Sequence, residues 1–147
     1  MFIFSGGLYY FCELIWRHYS HPSMFILAGF LGILIGFLND TVFTYDTDFI
    51  IQVFAATILC VIGEGITGCI VNIHLGLNVW DYSGLVGNYF FGQCNIFFTL
   101  FWVLISAAAI PITDHLEYIL FDFGGQPPIY KIGNKIIYQY KDKKGER

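Results

Sequence analysis

Residues 82–113 read YSGLVGNYFFGQCNIFFTLFWVLISAAAIPIT, and none of them is charged. Roughly 20 mostly apolar residues suffice to cross the hydrocarbon core of a bilayer as a helix. We place such a span at 88–110. Three further apolar stretches lie upstream. Residues 49–73 contain a single charge, Glu64, and 22–38 contain none. Residues 1–16 are short for a span and include Gly6, Gly7 and Glu13. The expected fold is therefore all-α, a polytopic transmembrane helix bundle of about four spans with a short polar C-terminal tail. Its expected parts are a transmembrane helical domain at 1–123 and a basic cytoplasmic tail at 124–147.

Composition supports a lipid environment. Only 12% of the 147 residues are charged and 56% are hydrophobic, whereas a soluble domain carries about 25% charged residues. In water such a surface would expose large associating patches. The four cysteines, Cys12, Cys60, Cys69 and Cys94, lie in or beside apolar runs without C-x-x-C or disulfide spacing, and read as small packing residues. The first segment lacks a basic stretch and a small-residue cleavage site, so it reads as a retained span.

Charge is placed unevenly. Lys131, Lys135, Lys141, Lys143, Lys144 and Arg147 lie in the tail, and the remaining cation is Arg17. Four spans would put both termini and the acidic 39–48 loop on one face, side A. The 17–21 and 74–83 loops would lie on the other, side B. Positive charge in short flanking segments favours the cytoplasm, which makes side A cytoplasmic. No basic patch sits on the folded body, so nucleic acid is not an expected partner. After Pro111 a short interfacial segment with Asp114, Glu117 and Asp122 is expected, broken at Gly124-Gly125-Gln126-Pro127-Pro128. A hairpin around Gly133-Asn134 and a solvated charge run would follow.

The polar residues concentrate toward side B. Glu64 precedes Gly68 and Asn72 by four and eight positions and follows Thr57 by seven, so the four share one helical face. An intramembrane acid is a functional candidate by default, as a substrate or ion ligand or a proton acceptor. The competing reading is a structural glutamate that bonds neighbouring helices. Glu13 and Arg17, four apart, suit a helical ion pair at the side B end of the first span. Asp81 or Ser83 suits capping the next segment. Gly84, Gly87 and Gly92 with Asn88 and Gln93 suggest broken or closely packed backbone, which survives at membrane depth only when covered by protein or lining a cavity. The candidate substrate-binding residues are thus Glu13, Arg17, Glu64, Asn72, Asp81, Asn88 and Gln93, around a cavity opening on side B. His18, His21 and His74 lack ligand spacing, and no metal or cofactor is expected. Ser20-His21-Pro22-Ser23 reads as a helix cap with proline in the first turn. Ala28, Gly29, Gly32 and Gly36 form a strip for close helix packing, and Ala107-Ala108-Ala109 also reads as packing.

These residues carry a resemblance. Gly6-Gly7-x-x-Tyr10-x-x-Glu13, Trp16-Arg17 and Ser20-His21-Pro22-Ser23-Met24 are one part of it. Glu64-x-x-x-Gly68, Asn72, Leu77-Asn78-Val79-Trp80-Asp81-Tyr82-Ser83, Asn88, Gly92-Gln93 and Pro128-x-Tyr130-Lys131 are the rest. The pattern resembles small bacterial multi-pass membrane proteins grouped as ABC transporter permeases, the CmpB-like, type IV group, and covers most of the chain up to about Lys131. It departs at Asn39-Asp40, His18 and Gly92-Gln93-Cys94-Asn95. The resemblance implies a permease component of a bacterial cell membrane, without a defined substrate or mechanism.

The chain has no G-x-x-x-x-G-K-[ST] loop, so a permease role calls for a separate ATPase subunit. It also calls for a homo-oligomer large enough to form a pathway. The competing readings are a membrane enzyme acting on a lipid or lipid-linked substrate through Glu64, Asp81 or a histidine, and a structural subunit of a membrane complex. No Ser/His/Asp or H-E-x-x-H motif supports the enzyme.

Overall fold

The structure is a computed structural model that describes residues 1–43, 47–121 and 127–140, apart from the side chains of Asn39, Asp40 and Phe121. Residues 44–46 of the acidic loop, the break at 124–126 and the terminal charge run lie outside the described residues, as does Asp122.

Helix α1 (Phe2–Arg17) ends where His18 turns left-handed, at φ 56°. Helix α2 (Pro22–Phe37) opens as its sequence predicts. The His21 side chain accepts from the Ser23 backbone N–H, and Pro22 occupies the first turn, where its missing N–H costs nothing. The helix runs on into a π turn, Leu38–Val42. Asp48 caps α3 (Phe49–Gly68) by accepting the Ile50 N–H at 2.8 Å, and α3 widens into a second π turn, Cys69–His74. A long loop follows, held by the antiparallel pair β1 (Asn88–Tyr89) and β2 (Cys94–Asn95). Helix α4 (Ile96–Phe121) leads toward the hairpin of β3 (Ile129–Ile132) and β4 (Lys135–Gln139), turning at Gly133-Asn134 as expected.

The architecture is mostly helical, and two strand pairs correct the all-α expectation. The fourth helix also differs from its expected 88–110 bounds. Its start moves to Ile96 because Gly87 and Gly92, with Phe90 and Phe91 between them, all take positive φ and break any helix there. Asn95 then caps the helix, accepting the Phe97 N–H at 2.9 Å. Its end moves past Ile110 because Pro111 removes one hydrogen bond without stopping an otherwise apolar helix. The segment carrying Asp114 and Glu117 is therefore the last part of α4.

Helix α2 touches α1, α3 and α4, so the four helices form one bundle. Its glycine strip does what its spacing predicts. Gly29 lies against the Phe2 ring, Gly32 against the Ser5 side chain and Gly36 against the Glu117 carboxylate. On α3 and the π turn that continues it, the outward ridge Ile50, Phe54, Ile58, Ile62, Ile66 and Ile70 is 47–66% exposed, while Gln52, Thr57, Glu64 and Asn72 are buried. This distribution reverses that of a water-soluble helix. Phe49–His74 and Ile96–Leu120 are long and apolar enough to cross a membrane. Helix α1, at 16 residues, spans only about 24 Å at 1.5 Å per residue.

The hairpin folds back onto the N-terminal end of α3 and the C-terminal half of α4. Tyr130 is buried with its ring 5.1 Å from that of Phe49, and its hydroxyl donates to Asp114 at 2.7 Å. The second oxygen of Asp48 accepts the Gly133 N–H at 2.6 Å, so one carboxylate both caps α3 and ties down the turn.

Candidate functional site

The stripe predicted on α3 faces inward: Thr57, Glu64, Gly68 and Asn72 are all buried. Glu64 is 4% exposed and lies ten residues before the end of the π turn, roughly 15 Å along the helix. Its Oε1 accepts from the Tyr82 hydroxyl at 3.3 Å, and its Oε2 accepts from the Trp102 indole N–H at 3.0 Å. Both donors are neutral. Tyr82 comes from the loop and Trp102 from the second turn of α4. Each is backed by another ring. Trp102 stacks on Tyr9 of α1, with centroids 6.0 Å apart, and Tyr82 stacks on Phe98 at 4.7 Å. Glu64 thus joins α1, the loop, α3 and α4 through aromatic side chains.

Asn72, in the π turn, does a separate job. Its Nδ2 donates to Gln93 Oε1 at 2.8 Å, and its Oδ1 accepts the Val79 and Trp80 backbone N–H groups at 2.7 and 3.4 Å. The Trp80 indole N–H donates to the Gln93 carbonyl at 3.1 Å. Gly68 leaves room for this, since a Cβ there would sit 2.7 Å from Gln93 Oε1. Asn72 and Gln93 therefore pin both ends of the loop to α3.

The remaining candidates are not gathered around Glu64. Glu13 is nearly buried and accepts from Arg17 at 3.2 Å and from the Ser20 hydroxyl at 2.6 Å, which ties α1 to the turn before α2. Arg17 itself is 48% exposed. Asp81 is exposed, and the Ser83 backbone N–H and hydroxyl hold its carboxyl below the usual carboxylate range. Asn88 is exposed and donates to the Ser83 and Leu85 carbonyls within the loop. Tyr9 links the two acidic positions, feeling the charge of both Glu13 and Glu64. Burial first, and then the charge of Glu64, push the Tyr82 phenol above its ordinary value, so it stays a neutral hydroxyl.

Sequence reasoning missed Tyr9, Ser20, Tyr82 and Trp102 as partners. One signal was available. A buried tryptophan usually finds an acceptor for its N–H, and the uncharged run around Trp102 contains few. Among the described residues no group of three or more His, Cys, Asp or Glu could hold a metal ion. An open apolar groove of about 630 Å³, lined by Pro111, His115, Tyr130 and Tyr138 among others, lies where the hairpin meets α3 and α4, and its lining does not include Glu64. Comparison with known proteins returned no matching family model, curated protein or solved structure.

Proposed function

We propose that the chain is a permease-like component of a membrane transport system, crossing a bacterial cytoplasmic membrane four times with both termini on the cytoplasmic side. Glu64 is its ligand for the transported species. Asn72 and Gln93 pin to α3 the loop whose Tyr82 contacts it. One observation carries the reading: among the described residues, a carboxylate buried in an apolar helix accepts hydrogen bonds only from Tyr82 and Trp102, which are neutral. An ionised carboxylate in the bilayer core costs at least about 2.5–3.5 kcal/mol and is normally paired, hydrated or protonated. Two neutral donors leave its charge open to a proton or a cation. The outward isoleucine ridge of α3 supports a lipid environment, and the resemblance to small bacterial permeases supports the transport role.

The test starts from the full-length protein captured from native membranes in mild detergent. A partner ATPase with a phosphate-binding loop is expected. In reconstituted vesicles its ATP hydrolysis should be stimulated by the wild-type chain and less so by Glu64→Gln. A chain that copurifies with no ATPase, or a Glu64→Gln variant that stimulates fully, contradicts the proposal.

A further inference from the structure

We infer that Glu64 binds a proton on Oε1 and exchanges it with the side B surface through the hydroxyl of Tyr82. This rests on Glu64 being the functional acid and names the species it takes. The argument is one of donor and acceptor capacity. An indole N–H can only donate, and that of Trp102 points at Oε2 from 3.0 Å. A proton on Oε2 would face another proton, so Oε2 stays an acceptor in both states. Oε1 faces the Tyr82 hydroxyl at 3.3 Å, and a hydroxyl can donate or accept. When Glu64 is ionised, Tyr82 donates to Oε1. When Glu64 is protonated, Oε1–H donates to Tyr82 and the phenolic hydrogen turns away. One pair of atoms accommodates both states without moving a helix.

Tyr82 also has the right position. It is half-buried, and its neighbours Asp81 and Ser83 are exposed. The transfer balances as follows. The Tyr82 O–H bond breaks as the Oε1–H bond forms, and Tyr82 Oη takes a proton from a hydronium ion on side B, leaving water. Release is the reverse. The titratable groups within electrostatic reach are Tyr9 of α1, which also feels Glu13 and Arg17, then Cys60 of α3 and Cys94 of β2. From α4 the Trp102 indole does not titrate. From α2, Leu27 and Leu31 pack on the adjacent Gly63 and carry no charge.

Infrared difference spectroscopy on the full-length protein in phosphatidylcholine vesicles, stepped from alkaline to acid pH, tests this. A carboxylic C=O stretching band should grow as pH falls and vanish in Glu64→Gln. Because Oε2 is the carbonyl oxygen, Trp102→Phe should shift the band to higher frequency. Tyr82→Phe should leave the carbonyl partner in place but slow hydrogen–deuterium exchange of the band roughly a hundredfold, the scale of a lost proton-transfer group. If Glu64→Gln does not fold, isotope-labelled glutamate in the wild-type chain makes the assignment, with Glu13→Gln leaving the band unchanged. No Glu64 band at any pH would overturn the inference, as would a Tyr82→Phe variant exchanging as fast as wild type. Should ATPase stimulation still depend on Glu64 while this band is absent, the proton is excluded and Glu64 remains the ligand of another species.

Discussion

Replacing Asn72 by Ala removes three hydrogen bonds at once. The Val79 and Trp80 N–H groups lose their acceptor, and the Gln93 side-chain carbonyl loses its donor. Gln93 and Trp80 are buried, so two orphaned groups remain away from solvent, each costing about 1–3 kcal/mol. Val79 is partly exposed, and water can serve its N–H. We expect the loop to be destabilised by about 2–6 kcal/mol. At 1.36 kcal/mol per tenfold, its open population rises roughly 30- to 26,000-fold. Chymotrypsin cleavage at Phe90 and Phe91 in detergent micelles reads that population directly when opening is fast. Cleavage should accelerate by that factor with helix content unchanged. A rate within about threefold of wild type would refute the reasoning, because it corresponds to no more than the effect of an ordinary surface substitution.

Three further outcomes are expected. Gly32→Leu drives a side chain into Ser5 and should cost about 1–3 kcal/mol through overpacking, seen as a lower unfolding temperature in micelles; Gly7→Ala, whose Cβ would only reach Phe25 at 4.0 Å, should be nearly silent. Ser20→Ala deletes the 2.6 Å bond to buried Glu13 and should cost about 1.5–3 kcal/mol in the same assay, the usual range for a hydrogen bond to a charged group. Asp81, held low by Ser83, should titrate below the ordinary value of about 3.9. Its contribution to loop order is then complete above that value and disappears only as pH falls through the lower folded-state value. The Ser83 amide resonance, followed against pH, should show that low midpoint and lose the transition in Asp81→Asn; a midpoint at or above the ordinary value contradicts the capping role.

Where local chemistry decides structure, the chain could be read in advance. His21-Pro22 starts a helix because a side-chain acceptor and a proline suit its first turn, and Gly133-Asn134 turns a hairpin. The Gly29, Gly32 and Gly36 strip meets a neighbour because only small residues allow that approach, and the 57–64–68–72 stripe points inward. What could not be read depends on distance along the chain. Trp102 reaches Glu64 across 38 positions and Gln93 reaches Asn72 across 21, and no periodicity encodes those pairings. The start of α4 was misread for another reason. Gly84, Gly87, Gly92, Asn88 and Gln93 signal broken backbone there, but hydropathy does not say how far the break runs, and the positive φ values at 87 and 90–92 carry it up to Asn95.

The most direct test is cysteine labelling in sealed vesicles with a membrane-impermeant thiol reagent, on a cysteine-free background carrying one cysteine at a time. Four crossings require cysteines at Tyr19 and Ser83 to react from one face and those at Thr41 and Asn134 from the other, with Ile58 and Phe101 shielded from both. Reaction of all four loop positions from a single face, or ready labelling at Ile58 and Phe101, would contradict the account.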